Sequence, residues 1–209
     1  MSGLFITIEG IECVGKSTNT KFISNYLNKR GIKTHETREP GGTLLAEKIR
    51  NILLFQKNED ITPLSELLLL FVARDANIQQ VIKPALSEGK WVICDRFTDA
   101  SFAYQGYGRE LGYETVVSFK EIVHPNLDPD ITFLLDAPLS VIKNRRKLNS
   151  NDRFESEDND FFNRVRKGYL EIADRFSQRI KVIDASLPIQ DVQAQILKYL
   201  KELVKDSDN

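Results

Sequence analysis

The feature that most constrains this chain is a glycine-rich stretch near its start, GIECVGKS at residues 10–17. It fits the pattern Gly, four residues, Gly-Lys-Ser/Thr, which is the phosphate-binding P-loop. An apolar run of strand length at 4–8 precedes it, and an amphipathic run compatible with a helix follows. Because this motif requires a strand, a glycine loop and a helix start in that order, the chain is predicted to be a P-loop protein.

Such a loop binds phosphate through its own backbone and a few of its side chains. Its glycines permit a tight turn, so that backbone N–H groups point at phosphate oxygens, and the helix N-terminus adds partial positive charge. Lys16 can reach the β- and γ-phosphates, and the Ser17 hydroxyl can ligate magnesium. The residues predicted to bind a nucleoside triphosphate are Gly10, Ile11, Glu12, Cys13, Val14, Gly15, Lys16, Ser17 and Thr18. The loop alone does not identify the phosphate acceptor.

Apolar runs of strand length alternate with longer amphipathic segments along the whole chain. Strands are predicted at 4–8, 33–37, 91–94, 131–135 and 181–183, and helices include 43–54, 65–86 and 189–204. This alternation indicates an α/β fold, a three-layer sandwich in which helices flank a parallel sheet of five strands. We expect one domain over residues 1–209, with a short lid at about 144–156.

Composition excludes several classes of protein. The net charge of −1 provides no general positive field for nucleic acid. No signal-type segment and no apolar run of about 20 residues is present, so we expect a cytoplasmic protein without membrane association. Cys13 and Cys94 are isolated and lack metal-ligand spacing, which favours a reducing compartment.

A charged pair, Asp95-Arg96, ends the apolar strand at 91–94. At the carboxyl end of a parallel strand, Asp95 could ligate magnesium and Arg96 could hold a phosphate as a bidentate fork. The alternative is an ion pair that only stabilises the loop. Ser101, Tyr104 and Gln105 follow at helical spacing and are predicted to face the same cavity.

Phe71 and Arg74 lie three residues apart on a predicted helix and therefore share a face. A ring and a guanidinium on one face suit a planar ligand with hydrogen-bond acceptors. Spacing alone favours the alternative, in which Phe71 belongs to the core and Arg74 is a surface charge.

Positive charges are concentrated in the run KNRRK at 143–147, and Arg153 adds another after a short polar stretch. Such a run is usually a solvated helix face. Because the net charge offers nothing to neutralise a triphosphate, we also consider a lid that brings arginines onto the phosphates.

Taken in order, the motifs TREPGGT (37–43), DRF (95–97), AYQG (103–106) and DRFE (152–155) follow the P-loop. This series closely resembles bacterial thymidylate kinases, which are nucleoside monophosphate kinases of the P-loop superfamily. The resemblance covers nearly the whole chain, and the motifs at 37–43 and 103–106 are more specific to the family than the P-loop itself. It implies phosphate transfer from ATP to dTMP with Mg²⁺, and a homodimer.

The resemblance also implies roles for matching residues. Phe71 would stack on thymine, Arg74 and Ser101 would hydrogen-bond its edge with Gln105 close by, and Tyr104 would lie under the sugar. Arg50 and Arg96 would hold the acceptor phosphate, Glu39 would shape its site, and Glu12 would lie near the sugar 3′-hydroxyl or the metal. Because the P-loop carries no arginine between its glycines, the lid is expected to supply one, and Arg146 and Arg153 are the candidates. The expected catalytic set is Lys16, Arg96, Arg146, Arg153 and Glu12, and the expected magnesium ligands are Ser17 and Asp95.

Two other functions remain open at this point. Another nucleotide or nucleoside kinase would share the fold, although a nucleoside hydroxyl would require a general base. A P-loop switch or assembly protein would bind nucleotide without a second substrate, but the guanine-reading pattern Asn-Lys-x-Asp is absent from the sequence. The identity of the preferred acceptor separates the other kinases from the expected one, and turnover without dependence on an acceptor would indicate a switch protein.

Overall fold

The computed structural model describes residues 3–55, 60–145, 153–154 and 157–207. Within these residues, five parallel strands form one sheet in the order β2-β3-β1-β4-β5. The strands are β1 (Phe5–Glu9), β2 (Thr34–Arg38), β3 (Trp91–Asp95), β4 (Ile131–Asp136) and β5 (Ile180–Asp184). The predicted α/β fold and its five strands are confirmed, and each strand begins and ends within one residue of its predicted bounds.

The central strands are apolar because both faces of the sheet are covered. All five residues of β1 are buried, as are the first four of β3. Parallel strands covered by helices on both sides have near-continuous apolar sequences for this reason. The outer strand β2, with the sequence THETR, is partly exposed.

Helices fill the crossovers between the strands. They are α1 (Lys16–Asn28), α2 (Leu44–Phe55), α3 (Pro63–Asn77), α4 (Lys83–Ser87), α5 (Thr98–Ser101), α6 (Tyr113–Val123), α7 (Leu139–Arg145), α8 (Asn159–Arg175) and α9 (Ile189–Ser207). Two π-helical segments, Ile78–Ile82 and Phe102–Gly108, connect α3 to α4 and extend α5. None of the helices in the described part of the chain is long and apolar enough to span a membrane.

The segment predicted as one helix at 65–86 is helical along its whole length, but it is not a single α-helix. It widens at Ile78–Ile82, which ends two residues before Pro84. Proline has no N–H to donate, and its ring would collide with the carbonyl four residues earlier in an α-helix. A turn of wider winding accommodates this residue without ending the helical path.

The carboxyl ends of β1, β2 and β3 lie at one edge of the sheet, and their loops face a common space. The loop after β1 depends on Gly10, whose φ is +130°. A Cβ there would lie 2.3 Å from the carbonyl oxygen of Leu135. Gly15, with φ +98°, precedes the first residue of α1, which is Lys16. Of the predicted lid, residues 146–152 and 155–156 lie outside the described residues.

Candidate active site

A cavity of about 710 Å³ lies at this edge of the sheet. The predicted site residues that line it are Glu12, Cys13, Gly15, Lys16, Ser17, Thr18, Glu39, Arg50, Arg74, Asp95, Arg96, Ser101, Tyr104 and Gln105. The fold therefore brings together side chains that are far apart in sequence. Gly10, Ile11 and Val14 belong to the same loop but do not line the cavity.

Lys16 is held at the centre of the P-loop. Its Nζ donates to the carbonyl oxygens of Gly10 and Ile11, at 3.1 and 2.8 Å. Burial lowers the pKa of Lys16 to about 8, and the nearby Arg96 guanidinium contributes to the decrease. An anionic phosphate in this loop would favour the charged ammonium, as the P-loop chemistry requires.

Ser17 and Asp95 are adjacent, as their predicted metal role requires. The Ser17 hydroxyl lies 3.4 Å from Asp95 Oδ2. No cluster of three or more His, Cys, Asp or Glu side chains suited to a metal occurs among the described residues. One hydroxyl and one carboxylate fit magnesium, which keeps several waters and takes further oxygens from phosphates.

Arg96 lines the cavity and is held by a dense polar network. Its guanidinium donates to the Gly10 carbonyl and the Glu12 carboxylate, both at 2.9 Å, and to the Tyr169 hydroxyl at 3.1 Å. Tyr104 donates its hydroxyl to Glu12 at 2.7 Å. Burial would raise the pKa of Glu12, but Arg96 and then Lys16 outweigh it and lower that pKa. Glu12 therefore stays ionised.

At the other end of the cavity, Arg74 is almost completely buried and is paired with Glu39. Arg74 Nε donates to Glu39 Oε2 at 2.7 Å, and Asn77 donates to the other carboxylate oxygen at 3.3 Å. Arg74 Nη2 donates to the Phe97 carbonyl. The alternative of a surface charge at Arg74 is therefore wrong. Arg50, from α2, reaches the same rim and donates to the Pro40 carbonyl at 3.1 Å.

Two polar atoms in this end of the cavity are buried without a partner. They are Arg74 Nη1 and Ser101 Oγ, which have no hydrogen-bond partner among the described residues. A buried polar group without a partner costs about 1–3 kcal/mol. Because both residues line the cavity, a bound ligand with suitable acceptors would satisfy them.

Phe71 does not lie where the stacking hypothesis requires it. Its ring is 2 % exposed and packs against Phe119 and His124, at centroid distances of 5.5 and 6.3 Å. In the described structure, Leu70 lines the cavity and Phe71 does not. Successive helix residues are separated by about a quarter of a turn, so packing on α6 rotates Phe71 into the core.

The structure describes only one of the two arginines that were predicted to lie in a lid, Arg153. Arg146 lies outside the described residues. Arg153 contacts Glu66, with its Nη2 2.5 Å from Oε2, and its Nε donates to the Leu53 carbonyl at 3.0 Å. It does not line the cavity. Arg145, at the end of α7, does line it, and also donates to the Ala185 carbonyl.

Sequence reasoning missed several residues of this region. The missed lining residues are Arg38, Pro40, Leu54, Leu70, Phe97, Ala100, Arg145 and Phe154. Two buried residues behind the lining were also missed, Glu66 and Tyr169. Arg145 could have been chosen from its basic run, but no local pattern distinguishes the apolar residues from ordinary core.

The fold and the site together define a class of protein. A P-loop at the end of the central strand provides for a nucleoside triphosphate. The same cavity continues to a second, partly apolar end with unpaired polar groups, which is suited to a second small molecule. This arrangement is that of a P-loop kinase with a nucleotide-sized acceptor site.

Comparisons with known proteins specify the family. The family model described as thymidylate kinase matches residues 8–196. The thymidylate kinase of Bordetella pertussis is 46% identical over 203 residues, which cover 97% of this chain and 96% of that one. The thymidylate kinase of Vesicomyosocius okutanii is 48% identical over 202 residues, covering 96% and 98%.

A solved structure agrees with these sequence matches. The crystal structure of thymidylate kinase from Ehrlichia chaffeensis superimposes with a TM-score of 0.78 at 34% identity, covering 96% of this chain and 99% of that one. The chain belongs to the thymidylate kinase family. It is thus a nucleoside monophosphate kinase, and the predicted resemblance is confirmed.

Proposed function

We propose that this chain transfers the γ-phosphoryl group of ATP to dTMP and so produces ADP and dTDP, a step in the synthesis of dTTP for DNA. The observation that carries the proposal is the continuous cavity between the P-loop and the pair of unpaired groups, Arg74 Nη1 and Ser101 Oγ. Its two ends suit two nucleotides, and family membership supports the identity of the acceptor.

The end that contains Arg74 suits a pyrimidine base. Arg74 Nη1 would donate to a carbonyl oxygen of the ring, and the Ser101 hydroxyl would pair with its edge. Leu70, in place of Phe71, supplies an apolar surface for one face of the base. Tyr104, held by Glu12 at 2.7 Å, forms a floor for the sugar.

The reaction needs no general base. The nucleophile is an oxygen of the dTMP phosphate, whose second pKa is about 6, so that it is mostly ionised at neutral pH. Its bond to the γ-phosphorus forms as the bond from γ-phosphorus to the β–γ bridging oxygen breaks, and ADP keeps that electron pair. Catalysis is therefore positioning and charge neutralisation.

The cationic side chains supply that neutralisation. Lys16, Arg96 and Arg50 line one cavity; Lys16 would meet the triphosphate, and Arg96 and Arg50 would meet the acceptor phosphate. Magnesium, held by Ser17 and Asp95, would neutralise further charge on the phosphates when bound. A lid arginine stays a prediction, with Arg146 and Arg153 as the original candidates and Arg145 added by its place in the cavity lining.

An ADP-release assay with ATP and magnesium tests this function. Acceptors dTMP, dUMP, dCMP, AMP and thymidine are compared at equal concentrations. We expect dTMP to be the best acceptor and dUMP to be weaker by a factor of roughly 10–200, since one methyl group is worth about 1–3 kcal/mol. A better rate with another monophosphate would contradict the acceptor assignment, and turnover independent of any acceptor would favour a switch protein.

We also propose a homodimer formed through α3. Leu64, Leu68 and Val72 lie four residues apart on this helix, and each is about half exposed. Ile52 and Phe55 of the adjacent α2 extend the apolar surface. An exposed stripe of this kind, on two packed helices, is typical of a surface that a partner covers. Localisation in the cytoplasm remains a prediction from sequence.

A further inference from the structure

Glu66 of α3 is a completely buried carboxylate directly behind the cavity. It receives three side chains that come from different parts of the chain. Gln105 Nε2 donates to Oε1 at 2.7 Å, Arg109 Nε donates to both oxygens at 3.3 Å, and Arg153 Nη2 lies 2.5 Å from Oε2. The proposed function gives Glu66 no part, because it does not line the cavity.

The charges around Glu66 fix its hydrogen-bonding character. Two guanidinium groups, those of Arg109 and Arg153, form ion pairs with it. A guanidinium group only donates hydrogen bonds, so the carboxylate oxygens of Glu66 act as acceptors toward both arginines. Both oxygens are engaged in this way, and Glu66 therefore presents an acceptor to its third partner, Gln105, as well.

This character determines which way the amide of Gln105 faces. The amide has one end that donates, the NH₂ group, and one that accepts, the carbonyl oxygen. Because Glu66 only accepts, the NH₂ end must face it, as the 2.7 Å contact requires. Gln105 lines the cavity on its other side, so its Oε1 is the end available to a ligand.

We propose that Glu66 is a positioning residue that sets the hydrogen-bond polarity of the acceptor site. This inference rests on the proposed function. With Gln105 locked, the cavity presents an acceptor that pairs with a base carrying an N–H in its ring. Thymine and uracil carry that N–H at N3, whereas cytosine has a lone pair there and would face Gln105 Oε1 with a second acceptor.

The substitution Glu66→Gln tests the proposal. A neutral amide at 66 can donate as well as accept, so Gln105 is free to turn its NH₂ end toward the cavity. We expect the ratio of kcat/KM for dTMP over dCMP to fall by about tenfold, since sites built around one hydrogen-bond polarity reject mismatched partners strongly. The KM for dTMP rises, and the KM for ATP is unchanged.

Two further variants separate positioning from general structural damage. Glu157→Gln removes the other acid that pairs with Arg109, at 2.6 Å, without contacting Gln105, and should keep the wild-type ratio. Gln105→Met removes the amide and leaves both arginines on Glu66. In the Gln105→Met background, Glu66→Gln should change the dTMP/dCMP ratio no further, because the two residues act through one contact.

The outcomes are distinguishable. If wild-type protein does not phosphorylate dTMP, the proposed function fails, whatever Glu66 does. If wild type is active, two results would overturn the inference about Glu66. In the first, Glu66→Gln folds and keeps the wild-type ratio of kcat/KM for dTMP over dCMP. In the second, Glu66→Gln shifts this ratio as much in the Gln105→Met background as it does when Gln105 is present. Should Glu66→Gln not fold, Glu66→Asp keeps the charge but withdraws the oxygens from Gln105. The same fall in ratio is then expected, and an unchanged ratio contradicts the proposal.

Discussion

Arg96 connects the parts of the site that lie far apart in sequence. Its backbone has a φ of +71°, a conformation that L-residues seldom adopt, and its guanidinium contacts the P-loop, the π-helical segment at Phe102–Gly108 and α8. Strained backbone of this kind persists where surrounding contacts enforce it, and it is concentrated at functional sites. Arg96, predicted from a charged strand end, lines the cavity, and its role there stays a prediction.

We expect Arg96→Ala to lower kcat by about 100-fold or more, because one preorganised donor to developing charge is worth that much. ATP should still bind, since Lys16 and the loop amides remain. Turnover and ATP binding by calorimetry are measured side by side. Arg30→Ala, at an exposed position just after α1, is the control. Near-normal turnover of Arg96→Ala would refute the role.

Glu9 has an unusual ionisation that predicts how stability varies with pH. Burial, with a contribution from Asp99, raises the pKa of this carboxyl to about 8 from an ordinary value of 4.5. Between these two pH values the folded state binds more protons than the unfolded state. The free energy of unfolding therefore falls as pH rises through this window, by up to about 1.4 kcal/mol per pH unit.

We expect Glu9→Gln to lose this component of the pH dependence, because an amide does not titrate. Melting temperatures at about pH 5.5 and about pH 8, which span most of this window, are compared for both proteins. The wild type should lose more stability than the variant over this interval. Equal losses in the two proteins would show that Glu9 is ionised in the folded state.

At the scale of elements, the loop after β1 is fixed by contact with β4. A Cβ on Gly10 would meet the Leu135 carbonyl oxygen at 2.3 Å, and backbone cannot yield as a flexible side chain can. We expect Gly10→Ala to destabilise the fold by about 2 kcal/mol or more, measured by urea denaturation.

Gly31 provides a matched control for this prediction. Its φ of +80° is also left-handed, but a Cβ there would meet nothing within 4 Å. Gly31→Ala isolates the cost of the backbone conformation alone, about 1–2 kcal/mol. If the two variants were equally stable, the contact with β4 would have no energetic role.

The elements themselves were largely predictable, and the site was predictable in part. Strand bounds and the P-loop follow from local patterns, because apolar runs and glycine spacing are local properties. Spacing favours a core position for Phe71, and the structure agrees, but the place of Leu70 in the cavity lining does not follow from sequence, because it depends on how α3 rotates against α6. The contact of Tyr169 with Glu9 at 2.8 Å spans 160 positions in sequence, and no local pattern records it.

At the scale of the whole molecule, the apolar stripe on α3 predicts how copies of the chain associate. We expect Val72→Arg to convert a dimer to a monomer, because a buried unpaired charge is costly at an interface. Light scattering after size-exclusion chromatography gives the mass. Val182→Arg is the control, since Val182 is equally exposed, at 48% against 49%, but lies on β5. A monomeric wild type, or a dimeric Val72→Arg, would contradict the proposed interface.

The π-helical segment at Phe102–Gly108 has a consequence for how this site can change in evolution. The Arg109 N–H donates to the carbonyl of Tyr104, five residues back, so that this turn holds one residue more than an α-helical turn would. Deletion of that extra residue would restore ordinary helical winding and would rotate the cavity-lining residues Ser101, Tyr104 and Gln105 relative to the residues that follow the segment. We therefore expect relatives to differ from this chain by substitutions in the segment but not in its length. Insertions and deletions here should be selected against even at positions where single replacements are tolerated.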